Sequence, residues 1–178
     1  MTHSQKTCGA CSVCCKELTF ELDGALKPAG VMCQHCRVPN GCGIHETRPQ
    51  ICRGYFCGWH QLPSLSEEWR PDKSEILIYF RQGPAPDGLM DGVEFHLFGS
   101  LDRLFWVPLV RYIATLIEDK APVYLSLPGD IGYQSPWVYL NDIPTLNDGI
   151  TRRDFAMTTA ALSQALQLFI DFPKTKIG

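Results

Sequence analysis

All nine cysteines of this 178-residue chain lie between Cys8 and Cys57, and none follows. A chain of this length buries about 70% of its extended surface on folding, so it can form a core without cross-links. An odd number of cysteines also fits a closed set of disulfides poorly. The clustering of the cysteines therefore indicates a chemical role other than disulfide bonding.

The expected compartment favours the same conclusion. The N-terminal residues Met1–Cys8 include no apolar stretch, so we expect no secretory leader. No run approaches 18 apolar residues, and we expect no membrane-spanning helix and no membrane partner. We therefore predict a cytoplasmic protein, where dense cysteines more often bind metal or perform redox chemistry than form disulfides.

The charge distribution argues against a nucleic-acid partner. The net charge is −3, and the chain has no basic stripe. Residues 1–60 hold six Lys/Arg and four Asp/Glu, a local excess of +2. This local excess would partly offset the negative charge of a thiolate-ligated metal centre.

The spacing of the cysteines is typical of metal ligands. The segment Cys8–Cys15 reads C-x2-C-x2-C-C, and Cys33–Cys36 is a second C-x2-C. We predict that all nine cysteines are candidate ligands: Cys8, Cys11, Cys14, Cys15, Cys33, Cys36, Cys42, Cys52 and Cys57. Two residues between ligands allow a tight turn that points both sulfurs at one metal. Four thiolates suit zinc, and C-x2-C-x2-C also suits a [4Fe–4S] cluster, so the spacing leaves both open.

The number of centres also stays open. Eight sulfurs would build two four-coordinate sites with one cysteine spare, so the cofactor is one or two zinc ions or an iron–sulfur cluster. Cys14 and Cys15 are adjacent, and we expect one of them to serve a second site or only to pack. His35 and His45 are further candidate nitrogen ligands, although a single histidine is more often a hydrogen-bonded residue.

The remainder of the chain predicts an α+β body. Four segments have the composition of strands: 76–80, 93–98, 123–127 and 137–140. A helix is expected from Pro108, and a second from a capping-box-like start at Thr151–Asp154. We therefore predict a cysteine-rich, loop-dominated segment (1–60) on a small antiparallel sheet with about two packed helices (61–178). His96, which alternates with apolar residues, is expected to be exposed.

The cysteine-rich segment resembles the bacterial CxxCxxCC cysteine-cluster family, described as a zinc- or iron-chelating domain. The resemblance rests on Cys8–Cys15, on 41–49 and on 52–59, about a third of the chain. The residues that match the family pattern are Cys8, Cys11, Cys14, Cys15, Cys33, Cys42, Arg48, Pro49, Cys52, Arg53 and Cys57. Cys36 lies outside the pattern, and His45 stands where tyrosine is common. The segment 68–72 is similar to the residues that come after the motif in some proteobacterial members.

The resemblance implies metal binding. A related cysteine motif occurs in flagellin lysine methylases, which are associated with an iron–sulfur cluster. This analogy keeps open the alternative of an iron–sulfur-dependent enzyme or redox protein related to protein methylation. The sequence identifies no catalytic residue and no protein partner, and it leaves open whether the chain is an enzyme.

Several residues near the cysteines have secondary roles. Arg48 and Arg53 are predicted to donate hydrogen bonds to thiolates or carbonyls and to screen the centre's charge. Pro49 is expected to begin a turn or a helix. A zinc-finger nucleic-acid binder is the least favoured alternative, because the chain lacks a paired His-x3–5-His and has the wrong charge.

Overall fold

The computed structural model describes residues 6–22, 24–169 and 172–177. Within these ranges the chain is a mixed α+β protein, which confirms the predicted fold class. The strands are Phe20–Leu22 (β1), Ala25–Lys27 (β2), Ile76–Pro84 (β3), Met90–Leu97 (β4), Val123–Ser126 (β5) and Trp137–Tyr139 (β6). The α-helices are Val13–Glu17 (α1), Gln50–Gly54 (α2), Gly58–Gln61 (α3), Pro71–Ser74 (α4), Val107–Glu118 (α5), Pro144–Thr151 (α6) and Phe155–Ala165 (α7). Short 3-10 helices cover His45–Thr47, Glu67–Trp69, Leu101–Phe105 and Leu166–Phe169.

The four predicted strands of the body form one sheet in the order β3-β4-β5-β6. The β3–β4 and β5–β6 pairs are antiparallel, as expected. The β4–β5 pair is parallel, in contrast to the antiparallel arrangement predicted. Helix α5 lies in the connection between these two strands, and a helical crossover of this kind returns the chain in the same direction. Strands β1 and β2 form a separate antiparallel hairpin in the cysteine-rich segment.

The main hydrophobic core lies between this sheet and the helices α5, α6 and α7. Phe95 and Leu125 of the sheet are fully buried, as are Ile113 of α5 and Leu162 of α7. Trp59, at the end of the cysteine-rich segment, packs into the same core and is only 2% exposed. The cysteine-rich segment is therefore joined to the body through a shared core.

The helices differ from the prediction in number and in one boundary. Helix α5 begins with proline in its first turn, as expected. The predicted start at Thr151 is instead the last residue of α6. Arg153 has a left-handed φ of 55°, which interrupts a helix, and Asp154 then caps α7 by accepting the Met157 N–H at 2.9 Å. The body thus carries more than the two packed helices expected.

His96 is buried, and the expectation that it is exposed was wrong. Its side chain is only 3% exposed, and Nδ1 lies 2.9 Å from the hydroxyl oxygen of Ser126 on the neighbouring strand. Its Nε2 lies 3.9 Å from the carboxylate of Glu17, at the end of α1. The cysteine-rich segment therefore covers the sheet face that strand alternation would assign to solvent.

Candidate metal centre

A cavity of about 40 Å³ lies at the junction of the cysteine-rich segment and the body. Four cysteines line it, Cys8, Cys11, Cys14 and Cys57, and we refer to them as the cavity set. Its other lining residues are Tyr55, Phe56, Trp59, Pro71 and Leu77. The volume leaves room for a metal ion or a few water molecules against a mostly apolar wall.

Local backbone structure brings the members of the cavity set to this place. The Cys11 N–H donates to the Cys8 carbonyl at 3.0 Å, which closes the turn expected for C-x2-C. Gly9 within this turn has a φ of +55°, a conformation that glycine adopts without strain. Cys14 lies in α1, and Cys57 is the N-cap residue of α3. The first C-x2-C-x2-C run and the last cysteine of the chain therefore meet.

Burial raises the pKa of three thiols of the cavity set, Cys8, Cys11 and Cys57. Burial raises the pKa of Cys11 to about 11, against the backbone N–H groups of Val13 and Asp72, which favour the thiolate. Burial likewise raises the pKa of Cys57, opposed by the N–H groups of His60 and Trp59. These N–H groups would stabilise a thiolate once a cation replaces the proton.

An arginine–carboxylate clamp adjoins the cavity set. Arg70 donates two hydrogen bonds to the carboxylate of Asp72, Nε–Oδ1 at 2.6 Å and Nη2–Oδ2 at 2.9 Å, and a third to Glu67 at 2.7 Å. The Cys11 thiol hydrogen-bonds to Asp72, and the charge of Arg70 lowers the pKa of Cys8 against the larger effect of burial. No role for Arg70 or Asp72 was predicted from the sequence, although both lie in the segment 68–72 that was expected to be similar to some family members.

The other five cysteines form a second group, which we call the loop set: Cys15, Cys33, Cys36, Cys42 and Cys52. The Cys33 N–H donates to the Cys15 carbonyl at 2.9 Å. The Cys36 N–H donates to the Cys33 carbonyl at 2.9 Å, which closes the second C-x2-C turn, and Cys36 pairs with Cys42 in an isolated β-bridge. Four of the five are thereby connected through the backbone.

The side chains of the loop set also interact. The Cys15 thiol hydrogen-bonds to Cys14, which with burial raises its pKa, and it also hydrogen-bonds to Cys36. The pKa of Cys52 is raised first by burial and then by the proximity of Cys15, Cys33 and Cys42. Cys52 therefore lies near three other members of the loop set.

A buried lysine lies beneath the loop set. Lys27 is only 8% exposed, and its Nζ donates to the carbonyls of Lys16 and Leu18, both at 2.6 Å. Burial lowers its pKa, whereas the nearby Cys33 raises it. A buried ammonium beside thiols is a counter-charge for thiolates. Its role was not predicted from the sequence, because a single lysine in a short strand carries no distinguishing pattern.

Arg53 makes backbone contacts of the kind predicted, and Arg48 contacts His45. Arg53 donates from Nε to the Arg48 carbonyl at 2.7 Å and from Nη2 to the Glu46 carbonyl at 3.3 Å. Arg48 likewise donates to a backbone carbonyl, from Nη1 to the His45 oxygen at 3.3 Å, and it hydrogen-bonds to the ring of the exposed His45. The charge of Arg48 lowers the pKa of both Cys8 and Cys52 against the larger effect of burial, so it acts on one member of each set. Pro49 is the N-cap residue of α2, consistent with the expected helix start.

Tyr55 contributes an unusual polar atom to the cavity. Its hydroxyl is buried and has no hydrogen-bond partner among the described residues. Burial raises the pKa of this hydroxyl, and so do the neighbouring Tyr79, Cys57 and Cys14. A buried hydroxyl without a partner is costly, and a sulfur ligand carrying negative charge would accept a hydrogen bond from it. The cavity set and this hydroxyl together suit a thiolate-ligated metal group.

The side chains do not form a finished coordination site. Within residues 6–22, 24–169 and 172–177, no three Cys, His, Asp or Glu side chains form a group that could hold a metal ion. All nine cysteines are free. The structure thus collects the cysteines in two neighbourhoods without converging their sulfurs on one point.

Comparison of the chain with protein-family models, curated proteins and solved structures finds no match. Over the part of the chain that the structure describes, no helix combines the length and apolar character needed to cross a membrane.

Proposed function

We propose that this chain is a metal-binding protein that holds zinc or iron on cysteine thiolates within residues 8–57. The observation that carries the proposal is the cavity set. Cys57 lines the same cavity as Cys8, Cys11 and Cys14, although the whole cysteine-rich segment separates it from them in sequence. Four thiols at one cavity are the donor set that zinc and iron–sulfur clusters require.

Metal binding would bring the four sulfurs of the cavity set to a common point. Metal sites are rarely preformed, and binding supplies folding free energy, on the order of 10 kcal/mol for a structural zinc. The sulfurs need to turn towards a common point, and the N–H groups already directed at Cys11 and Cys57 would stabilise the thiolates formed. The resemblance of Cys8–Cys15, 41–49 and 52–59 to the CxxCxxCC family supports the same function.

A second candidate is an iron–sulfur-dependent enzyme or redox protein. The observation that favours it is the largely apolar wall of the cavity, with Tyr55, Phe56, Trp59 and Leu77 around the four thiols. Burial and hydrogen bonds to sulfur are the means by which a protein tunes the potential of a cluster. A link to protein methylation rests on the family analogy alone.

We place the protein in a reducing compartment such as the cytoplasm. The support is that all nine cysteines are free, which a cytoplasmic glutathione pool would maintain. No nucleic acid is part of the proposal, since the net charge of −3 opposes it.

Metal analysis of protein purified without air tests both candidates. The expected result is stoichiometric zinc in a colourless sample, or iron with sulfide in a brown one. Anaerobic handling is needed because zinc can replace iron that is lost to oxidation. A folded, colourless sample free of metal would contradict both.

A further inference from the structure

The cysteines separate into two groups between the adjacent residues Cys14 and Cys15. Cys14 lines the cavity, and Cys15 is not among the described residues that do so. The carbonyl of Cys15 instead accepts the Cys33 N–H, and its thiol hydrogen-bonds to Cys36 as well as to Cys14. The division therefore falls within α1, between two adjacent cysteines whose thiols are in hydrogen-bonding contact.

The cavity set has enough thiols for one metal centre. It has four thiols, the number that a tetrahedral ion or a [4Fe–4S] cluster takes. The buried Tyr55 hydroxyl adds a hydrogen-bond donor at this cavity. Nothing from the loop set is needed to fill the coordination shell.

The loop set has five thiols, one more than a second four-coordinate centre requires. Cys52 lies near Cys15, Cys33 and Cys42. Cys36 also lies near Cys15 and Cys33, but its thiol hydrogen-bonds to Ser12, outside the loop set, as well as to Cys15. The first four are therefore the ligand candidates, and Cys36 is the supernumerary thiol.

Each set also has a basic side chain nearby, although Lys27 also lies near Glu17 and Cys14, and Arg70 is paired with Asp72 and Glu67. A divalent ion on four thiolates leaves an excess of about two negative charges, which needs compensation when partly buried. Lys27 lies beneath the loop set, with its Nζ fixed by two carbonyls at 2.6 Å. Arg70 lies beside the cavity set, and its Nη1 is 4.0 Å from where a Cβ of Gly9 would lie. Arg48 acts on a member of each set.

We propose that the chain binds two separate metal centres, one on Cys8, Cys11, Cys14 and Cys57 and the other on Cys15, Cys33, Cys42 and Cys52. The Tyr55 hydroxyl donates a hydrogen bond to a sulfur of the first centre. This inference rests on the proposed metal-binding function and adds the number of centres and their ligands.

Titration of the reduced, metal-free full chain with Co²⁺ tests the division, because tetrahedral cobalt thiolates absorb visible light. The wild type should bind two equivalents. The Cys57→Ser and Cys52→Ser variants should each lose one equivalent and keep the other. Cys36→Ser is the matched control and should keep both.

Native mass spectrometry of the wild type loaded with Zn²⁺ counts the ions without any substitution, which covers the case of a variant that fails to fold. Two ions per chain support the division. One ion per chain, with all binding lost in both Cys57→Ser and Cys52→Ser, overturns the division but leaves the proposed metal-binding function intact. No bound Co²⁺ or Zn²⁺ in the folded wild type overturns zinc binding itself.

Tyr55→Phe tests the hydrogen bond to sulfur. Combined with Cys52→Ser, it should shift the sulfur-to-cobalt charge-transfer band, because only the cavity centre then holds Co²⁺. Combined with Cys57→Ser, it should leave the band of the loop centre unchanged. Equal shifts in both backgrounds, or none in either, would overturn the assignment of Tyr55.

Discussion

A β-carbon on Gly58 would lie 2.3 Å from Cγ2 of Ile78 and 2.7 Å from its Cβ. Helix α3 therefore packs directly on β3, with no space for a side chain between them. Ile78 is 1% exposed and cannot move aside without disturbing the core. This contact holds Cys57, the residue before Gly58, beside the cavity.

Gly58→Ala should consequently destabilise the protein by about 1–3 kcal/mol, the usual cost of overpacking a filled core. Urea unfolding followed by tryptophan fluorescence measures the change. Gly54→Ala is the matched control, because no atom lies within 4 Å of the added Cβ. It should cause no loss of stability, and an equal loss in both variants would contradict the packing argument.

Arg70→Lys should cost about 1 kcal/mol of stability. A lysine cannot reproduce the paired hydrogen bonds to Asp72, whose side chain is only 30% exposed. Chemical denaturation provides the measurement, with Arg152→Lys as its control. Arg152 and Asp148 form a more exposed pair, so that substitution should cost less than about 0.5 kcal/mol. Similar costs for the two variants would show that the Arg70 clamp has no special role.

Lys27→Met should weaken zinc binding by roughly 10- to 100-fold, as loss of a partner outside the ligand shell commonly does. Methionine keeps an apolar stem but removes the counter-charge near the loop set and the hydrogen bonds from Nζ to the carbonyls of Lys16 and Leu18. Competition with a chromophoric chelator measures the affinity. Lys73→Met removes an exposed lysine paired with Glu67 and should leave the affinity unchanged. If both variants bind zinc as the wild type does, Lys27 is not a counter-charge.

Glu75 should contribute to the loss of stability in acid. The Ser100 N–H, at 3.0 Å, and Arg103 hold the pKa of this carboxyl below its usual 4.5. A lowered pKa means that the stabilisation is present above about pH 4.5 and is lost as the pH falls through the lower folded-state pKa. Glu75→Gln should therefore reduce the fall in unfolding free energy below pH 4.5. The reduction should be less than about 1 kcal/mol, because the side chain is 38% exposed.

Denaturant titrations at a series of pH values measure this dependence. Glu118→Gln, at the exposed end of α5, should retain the wild-type acid profile. A Glu75→Gln profile that overlies the wild type would contradict the proposed linkage.

Chelation should loosen the cysteine-rich segment selectively, because the bound metal is expected to supply much of its folding free energy. Tryptic cleavage after Arg37 and Arg53 should accelerate by about tenfold or more, since exposure of these bonds follows local unfolding. Cleavage after Arg111, within α5, should stay slow because the body has its own apolar core. Mass spectrometry of the fragments identifies the sites, and unchanged resistance at Arg37 and Arg53 would contradict a structural metal.

Local patterns in the sequence predicted the strands of the body well. Segments 76–80 and 137–140 lie within or overlap β3 and β6, because apolar, β-branched and aromatic residues carry a strong local signal. The same reasoning located the helix start at Pro108. The break between α6 and α7 was not predicted, because no local sequence pattern indicates the left-handed conformation of Arg153.

Local sequence patterns did not predict contacts between segments that are remote in sequence. His96 looked exposed by strand alternation, yet Ser126 and Glu17 enclose it. The parallel pairing of β4 with β5 likewise depends on where the intervening helix packs. Both outcomes come from segments that are remote in sequence.

The sequence by itself determined that nine thiols lie within residues 8–57 and that the body is an α+β unit. Only the tertiary structure decided which cysteines are neighbours. Cys57 lines one cavity with Cys8, Cys11 and Cys14. Cys15 forms hydrogen bonds with Cys33 and Cys36. Spacing along the chain controls which sulfurs can share one turn. Sulfurs from different segments meet only where packing directs the chain, and here the contact of α3 with β3 provides that packing.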